Sequence, residues 1–206
     1  MGNSIVDSVV AAIEPSLAQA GFSRNTEGFF RIRPQFVDYL SIQVRSDNAA
    51  IALNAGVQPV FMLSPEKQTI DSLRGASEID CYIRKRLAPE GQADYWLSID
   101  LGPTRIAKEI TEIFEEHGQP FFEFFASLQV LCRSLTIEEI QSKNVSKYFS
   151  MLTKSRLAHL GAMAHMTCGN QSLAKVFAEY GLSVAGMAVS LKKEFKRIIA
   201  AAEQSE

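Results

Sequence analysis

The stretch FFRIRPQFVDYLSIQVRSDNAAIALNAGV, residues 29–57, decides the fold. Three runs within it, Phe29 to Arg33, Tyr39 to Arg45 and Ala50 to Val57, alternate apolar and polar side chains. The turn-rich triplets Arg33-Pro34-Gln35 and Ser46-Asp47-Asn48 separate them. A period of two is that of a strand with one face buried, and short turns between such runs join antiparallel neighbours. The reading is an antiparallel meander whose inner face carries Phe30, Ile32, Leu40, Ile42, Val44, Ile51, Leu53, Ala55 and Val57.

Upstream, Ile5, Val9, Ile13, Leu17 and Ala20 recur at helical spacing and Gly21 follows as a C-terminal stop. This predicts an amphipathic helix bent at Pro15 and laid on the inner face. Downstream, Ser64-Pro65-Glu66 opens a short helix that ends near Gly75. Residues 77–87 fit two periods: a strand with Cys81, Ile83 and Leu87 on one face, or a helix stacking Ile79, Ile83 and Leu87. Tyr95 to Asp100 reads as a further strand. After Gly102-Pro103 the period becomes helical and stays so. Ile106, Ile110, Ile113, Phe114 and His117 form a stripe closed by Gly118, and Gln119-Pro120 opens the FFEFF segment, expected to be buried between lobes. Thr136 and Glu139 have capping-box spacing. Three more helices are expected, from Thr153 to Cys168, Asn170 to Tyr180 and Val184 to Ala202. The fold class is therefore α+β: an antiparallel sheet with an N-terminal helix over residues 1–101, followed by an all-helical lobe over 102–206 packed on it.

The chain of 206 residues is 47% hydrophobic and 21% charged, the balance of an ordinary globular protein. With 21 basic against 23 acidic side chains there is no overall field to attract a polyanion, so any charge-based recognition is local. The first residues lack a basic segment before their apolar stretch, which carries Asp7 and Glu14, so no secretory signal is read. No run approaches the roughly 18 to 20 uncharged apolar residues of a membrane span, and no membrane partner is expected. The three cysteines, Cys81, Cys132 and Cys168, lack both a disulfide framework and metal-ligand spacing. Free thiols in a reducing, cytoplasmic compartment are expected.

No nucleophile elbow, phosphate-binding glycine loop, dinucleotide fingerprint or zinc-protease helix occurs. His159 and His165 stand six apart, on roughly opposite faces of one helix, and cannot share a metal. Glu109, Glu112, Glu115 and Glu116 lie opposite the isoleucine stripe and read as a solvated face. No catalytic residue, cofactor or metal ligand is assigned. One group stands out. The outer face of the expected sheet gathers Arg31, Arg33, Tyr39, Gln43, Arg45, Asn54 and Trp96, and in the strand reading Tyr82, Arg84 and Arg86. Basic side chains interleaved with aromatics bind single-stranded nucleic acid or present hot spots to a protein. The alternative is a face covered by the C-terminal helices, with Trp96 packed beneath them and the arginines reaching out to solvent.

Gly21-Phe22, Phe29-Phe30-Arg31, Ile42-Gln43-Val44 and above all Cys81-Tyr82-Ile83-Arg84-Lys85-Arg86-Leu87 followed by Asp94-Tyr95-Trp96 resemble the bacterial family known as domain of unknown function 4304, over roughly the first half of the chain. The resemblance implies no activity, cofactor or catalytic residue. The reading that follows is a non-catalytic bacterial cytosolic protein that binds a protein partner through Tyr82, Arg84, Arg86, Asp94 and Trp96. Analogy with small intracellular bacterial families points to an immunity or defence role. The rival is a nucleic-acid-binding or processing protein that holds a substrate anion with Arg84, Arg86 and Asp94, with Asp80, Cys81 or Asp94 as its only candidate nucleophile or base.

Overall fold

The computed structural model describes residues 3–92 and 94–204. The chain divides into two compact units, Met1–Glu123 and Phe124–Glu206.

In the first unit, helix α1 (Asn3–Gln19) runs through Pro15 and closes at Gly21, where the Gly21 and Phe22 amides donate to Ala18 and Leu17. Strands β1 (Ser23–Arg24), β2 (Phe29–Ile32), β3 (Phe36–Val44), β4 (Ala50–Pro59) and β5 (Ile83–Leu87) follow one another across a wholly antiparallel sheet. A two-residue strand, β6 (Leu97–Ser98), pairs with Ala50 and Ile51 at the start of β4. The ambiguous segment resolves into both kinds of structure. Glu78–Asp80 is a 3-10 turn capped reciprocally by Ser77 and Asp80, and the strand begins at Ile83. The strand expected over Tyr95 to Asp100 is shorter than its alternation suggested, because Ile99–Leu101 winds into another 3-10 turn.

The register corrects one strand. Phe29 pairs with Leu40 and Arg31 with Asp38, so Phe29 and Arg31 share the face of Leu40, Leu53 and Val57, while Phe30 and Ile32 lie on the opposite face. Phe29 and Phe30 are both buried, so alternation alone did not fix the parity of β2. Arg31 thus lies on the inner face, Arg33 joins it on the same Asp38 carboxylate, and neither belongs with the outer arginines.

The inner face meets the helices of its own unit. Arg31 donates to the Ala20 carbonyl at 2.8 Å and lies over the rings of Phe22 and Phe122. Helix α3 (Pro103–Ile113) packs along α1. It does not stop at Gly118 as expected. A wider π turn, Phe114–Gly118, carries the helical path into α4 (Gln119–Phe124). That turn precedes Pro120, whose ring would collide with the carbonyl four residues back in a regular α-helix. Gly118 is there for approach, since a Cβ on it would stand 3.0 Å from Leu87 Cδ1.

The outer face is covered at one end by the segment that follows β4, and at the other end Ala52 and Asn54 are buried as well. Residues 60–82, which include the short helix α2 (Ile70–Gly75), fold back so that Leu73 and Cys81 pack on Phe30, Val37 and Tyr39. This approach requires Gly56, where a Cβ would stand 2.6 Å from Cys81 Sγ.

The second unit contains α5 (Leu128–Arg133), α6 (Ile137–Ser142), α7 (Lys154–Thr167), α8 (Gln171–Val184) and α9 (Val189–Glu203). The capping box at α6 forms as read, with both Thr136–Glu139 hydrogen bonds present. FFEFF spans the division. Phe121 and Phe122 contact each other and Phe122 contacts Phe22, whereas Phe124 and Phe125 pack on Phe149. Among the described residues no helix is long and apolar enough to cross a membrane.

Candidate functional site

Antiparallel pairing places Asn54 between Ser41 and Arg86 on the outer face, so β3, β4 and β5 all give polar side chains to the end of that face nearest Trp96. Arg86 is the centre. Its Nη2 donates to Gln43 Oε1 at 2.6 Å, its Nε to Asn54 Oδ1 at 3.2 Å and its Nη1 to Asp94 Oδ1 at 2.6 Å. Asn54 Nδ2 also donates to Gln43 Oε1 at 3.1 Å. The guanidinium lies 4.2 Å from the centroid of the Trp96 ring. The stack is attractive because a cation meets the negative face of the ring, and it holds the half-buried indole in one orientation. Trp96 sits immediately before β6, whose pairing to β4 fixes the approach of the loop.

Of the five residues expected to bind a partner, Arg86, Asp94 and Trp96 are brought together directly. Arg84 lies two residues along the same strand, opposite Gly56, and its Nη2 stands 3.4 Å from Glu78 Oε1. Its Nε is buried without a hydrogen-bond partner among the described residues. The backbone amide of Tyr82 donates to Gln58 Oε1 at 2.9 Å, which ties the start of β5 to β4. Trp96 is half-buried and not enclosed.

The covered end holds a cavity of about 500 Å³ lined by Tyr39, Gln58, Leu73, Asp80 and Cys81, among others. Its polar walls are bonded within the unit: Tyr39 donates to the Leu73 carbonyl at 2.6 Å and Gln58 to the Pro59 carbonyl. Burial pushes the Cys81 thiol well above its ordinary range, and the Glu78 and Asp80 carboxylates add to the effect. A thiol so held is a poor nucleophile. Asp80 caps its 3-10 turn and Asp94 is paired with Arg86, so each side chain considered as a nucleophile or base already has a structural role.

Sequence reasoning missed Asp38. Its side chain is fully buried on the inner face, accepts from Arg31 Nε and Nη2 at 2.9 and 2.8 Å, and pairs with Arg33. Burial raises its carboxyl above the ordinary aspartate range, and the two guanidiniums oppose that rise. The signal was present: Asp38 has the parity of Leu40 and Ile42, and a carboxylate on an apolar face needs cations, which Arg31 and Arg33 supply across a short hairpin.

The family model of a domain of unknown function, DUF4304, matches residues 13–124. The chain belongs to the DUF4304 family. The matched stretch runs from the middle of α1 to the end of α4, so the DUF4304 region contains the sheet, the Arg86 cluster and the Asp38 pairings. No curated protein and no solved structure matches the chain.

Proposed function

We propose that the protein is a non-catalytic, cytoplasmic binding module of a bacterial cell, and that it recognises a protein partner through the surface formed by Arg86, Asp94 and Trp96 at one end of its sheet. The observation that carries this reading is local charge compensation. Arg86 has Asp94 and Arg84 has Glu78, so the face offers an ordered aromatic and hydrogen-bonding platform of little net charge. Nucleic acid is drawn by cations in excess, and affinity rises with each phosphate neutralised. A protein is drawn by buried aromatic and arginine anchors held in place beforehand. The Trp96–Arg86 stack is of the second kind.

The test is affinity purification from the source cell with wild type, the Arg84→Glu/Arg86→Glu double variant and the milder Trp96→Ala/Arg84→Ala variant, each checked by circular dichroism and thermal unfolding. A stoichiometric protein that accompanies wild type and is lost from a folded variant supports the reading. Nuclease-sensitive material recovered in its place, or a partner retained by both variants, refutes it.

A further inference from the structure

Cys132 and Cys168 are 36 positions apart in the chain, and their sulfurs lie 3.6 Å apart within the second unit. Cys132 is in the last turn of α5, half-buried; Cys168 caps the C-terminus of α7 and is exposed. A disulfide needs its sulfurs about 2.0 Å apart, so the pair has only about 1.6 Å to close. Both residues sit at helix ends, and Gly169, with φ of 75°, follows Cys168, so closure is absorbed by a chain end and not by the interior of a helix.

We propose that Cys132 and Cys168 form a reversible redox site that takes a low-molecular-weight disulfide as its oxidant. Cys168 is the attacking thiol because it is exposed. Its thiolate forms a bond to one sulfur of the disulfide RSSR; that S–S bond breaks and RS⁻ leaves, taking up a proton. Cys132, deprotonated in turn, attacks Cys168 Sγ and expels the second RS⁻. The balance is two protein thiols plus RSSR giving one protein disulfide plus two RSH, a two-electron exchange. Burial, and after it the neighbouring Cys168 sulfur, pushes the Cys132 thiol up to about 12, so Cys132 is the poorer first nucleophile of the two. The attack by Cys132 follows the first, because it needs the mixed disulfide on Cys168 as its target. Cys81 is buried in the other unit and takes no part.

The experiment incubates the full chain with mixtures of oxidised and reduced glutathione, quenches with acid, labels free thiols with N-ethylmaleimide under denaturing conditions and reads intact mass. Reduced protein carries three labels. The expected oxidised product carries one, on Cys81, with no glutathione retained and a linked Cys132–Cys168 peptide pair that dithiothreitol separates. Cys132→Ser is expected to hold glutathione on Cys168, and Cys168→Ser to remain unmodified at Cys132. Three labels at every mixture, or wild type that accumulates glutathione on Cys168 while Cys132 stays labelled, overturns the proposal. Equal glutathione uptake by the two single variants overturns the assigned order of attack.

Discussion

Arg86 makes hydrogen bonds to three side chains of its own unit and covers one face of Trp96, so the indole loses both packing and a cation–π contact if the pair is broken. Trp96 is half-buried, and Trp96→Ala is expected to cost about 1 to 2 kcal/mol, less than the roughly 3 to 5 of an enclosed tryptophan. Urea unfolding measures it, and a loss above that range would mean the ring is sealed in. The chain has a single tryptophan, so iodide quenching of its emission reports the same geometry: partial in wild type, stronger in Arg86→Ala. Asp38 presents the opposite case. Removing a fully buried carboxylate leaves two guanidiniums without their acceptor, and Asp38→Ala is expected to lose about 3 to 5 kcal/mol by the same assay. An unchanged midpoint would contradict the pairing. The difference in how legible these residues were is physical. Gln43 and Asn54 alternate with apolar neighbours whose parity is unambiguous, whereas Arg86 lies in a segment that fitted two periods, and Arg31 belongs to a strand that begins with two buried phenylalanines, so its parity is decided by hydrogen-bond register, which the side chains do not encode.

Among the elements, α7 was read from its period, yet the consequence of its two histidines needed the packing. His165 is buried and lies 5.2 Å from the Phe177 ring, and His159 meets Phe195 edge-on at 5.7 Å. Burial lowers the proton affinity of both. The unfolded chain then binds more protons than the folded one between the lowered folded values and the ordinary value of about 6.5. Stability contributed by the neutral rings is present above that value and is lost as pH falls through the window. The unfolding temperature is expected to drop between pH 7.5 and 5, and the drop to shrink in His165→Phe. A variant with an unaltered pH dependence would assign the effect elsewhere. Other elements show where periodicity runs out. The chain read helical up to Gly118 because glycine stops helices, but here the glycine serves close packing against Leu87. Residues 77–87 fitted two periods because a capped turn and a strand share the segment.

At the scale of the molecule, the order of an antiparallel sheet followed by helices was legible, since the hydrophobic period turns helical at Gly102-Pro103 and stays so. A helical period does not by itself say which surface a helix serves. α3 packs along α1, and Phe22 packs against both Phe114 and Phe122. A fragment ending at Leu101 lacks all of these partners and is expected to lose cooperative unfolding, as calorimetry would show; a sharp transition in that fragment would mean that the sheet and α1 suffice.

The central claim, that the Arg86–Trp96 end of the sheet receives a protein, is tested most directly by photo-crosslinking in the cell. Ser41 shares the outer face with Asn54 and is half-buried, so a benzophenone side chain placed there reports what touches that face. The control position is Lys108, whose side chain is 76% exposed on α3. The account expects one protein adduct of defined mass at position 41, absent at position 108 and lost when Trp96→Ala is added. No adduct at position 41, equal adducts at both positions, or an adduct that nuclease removes would contradict it.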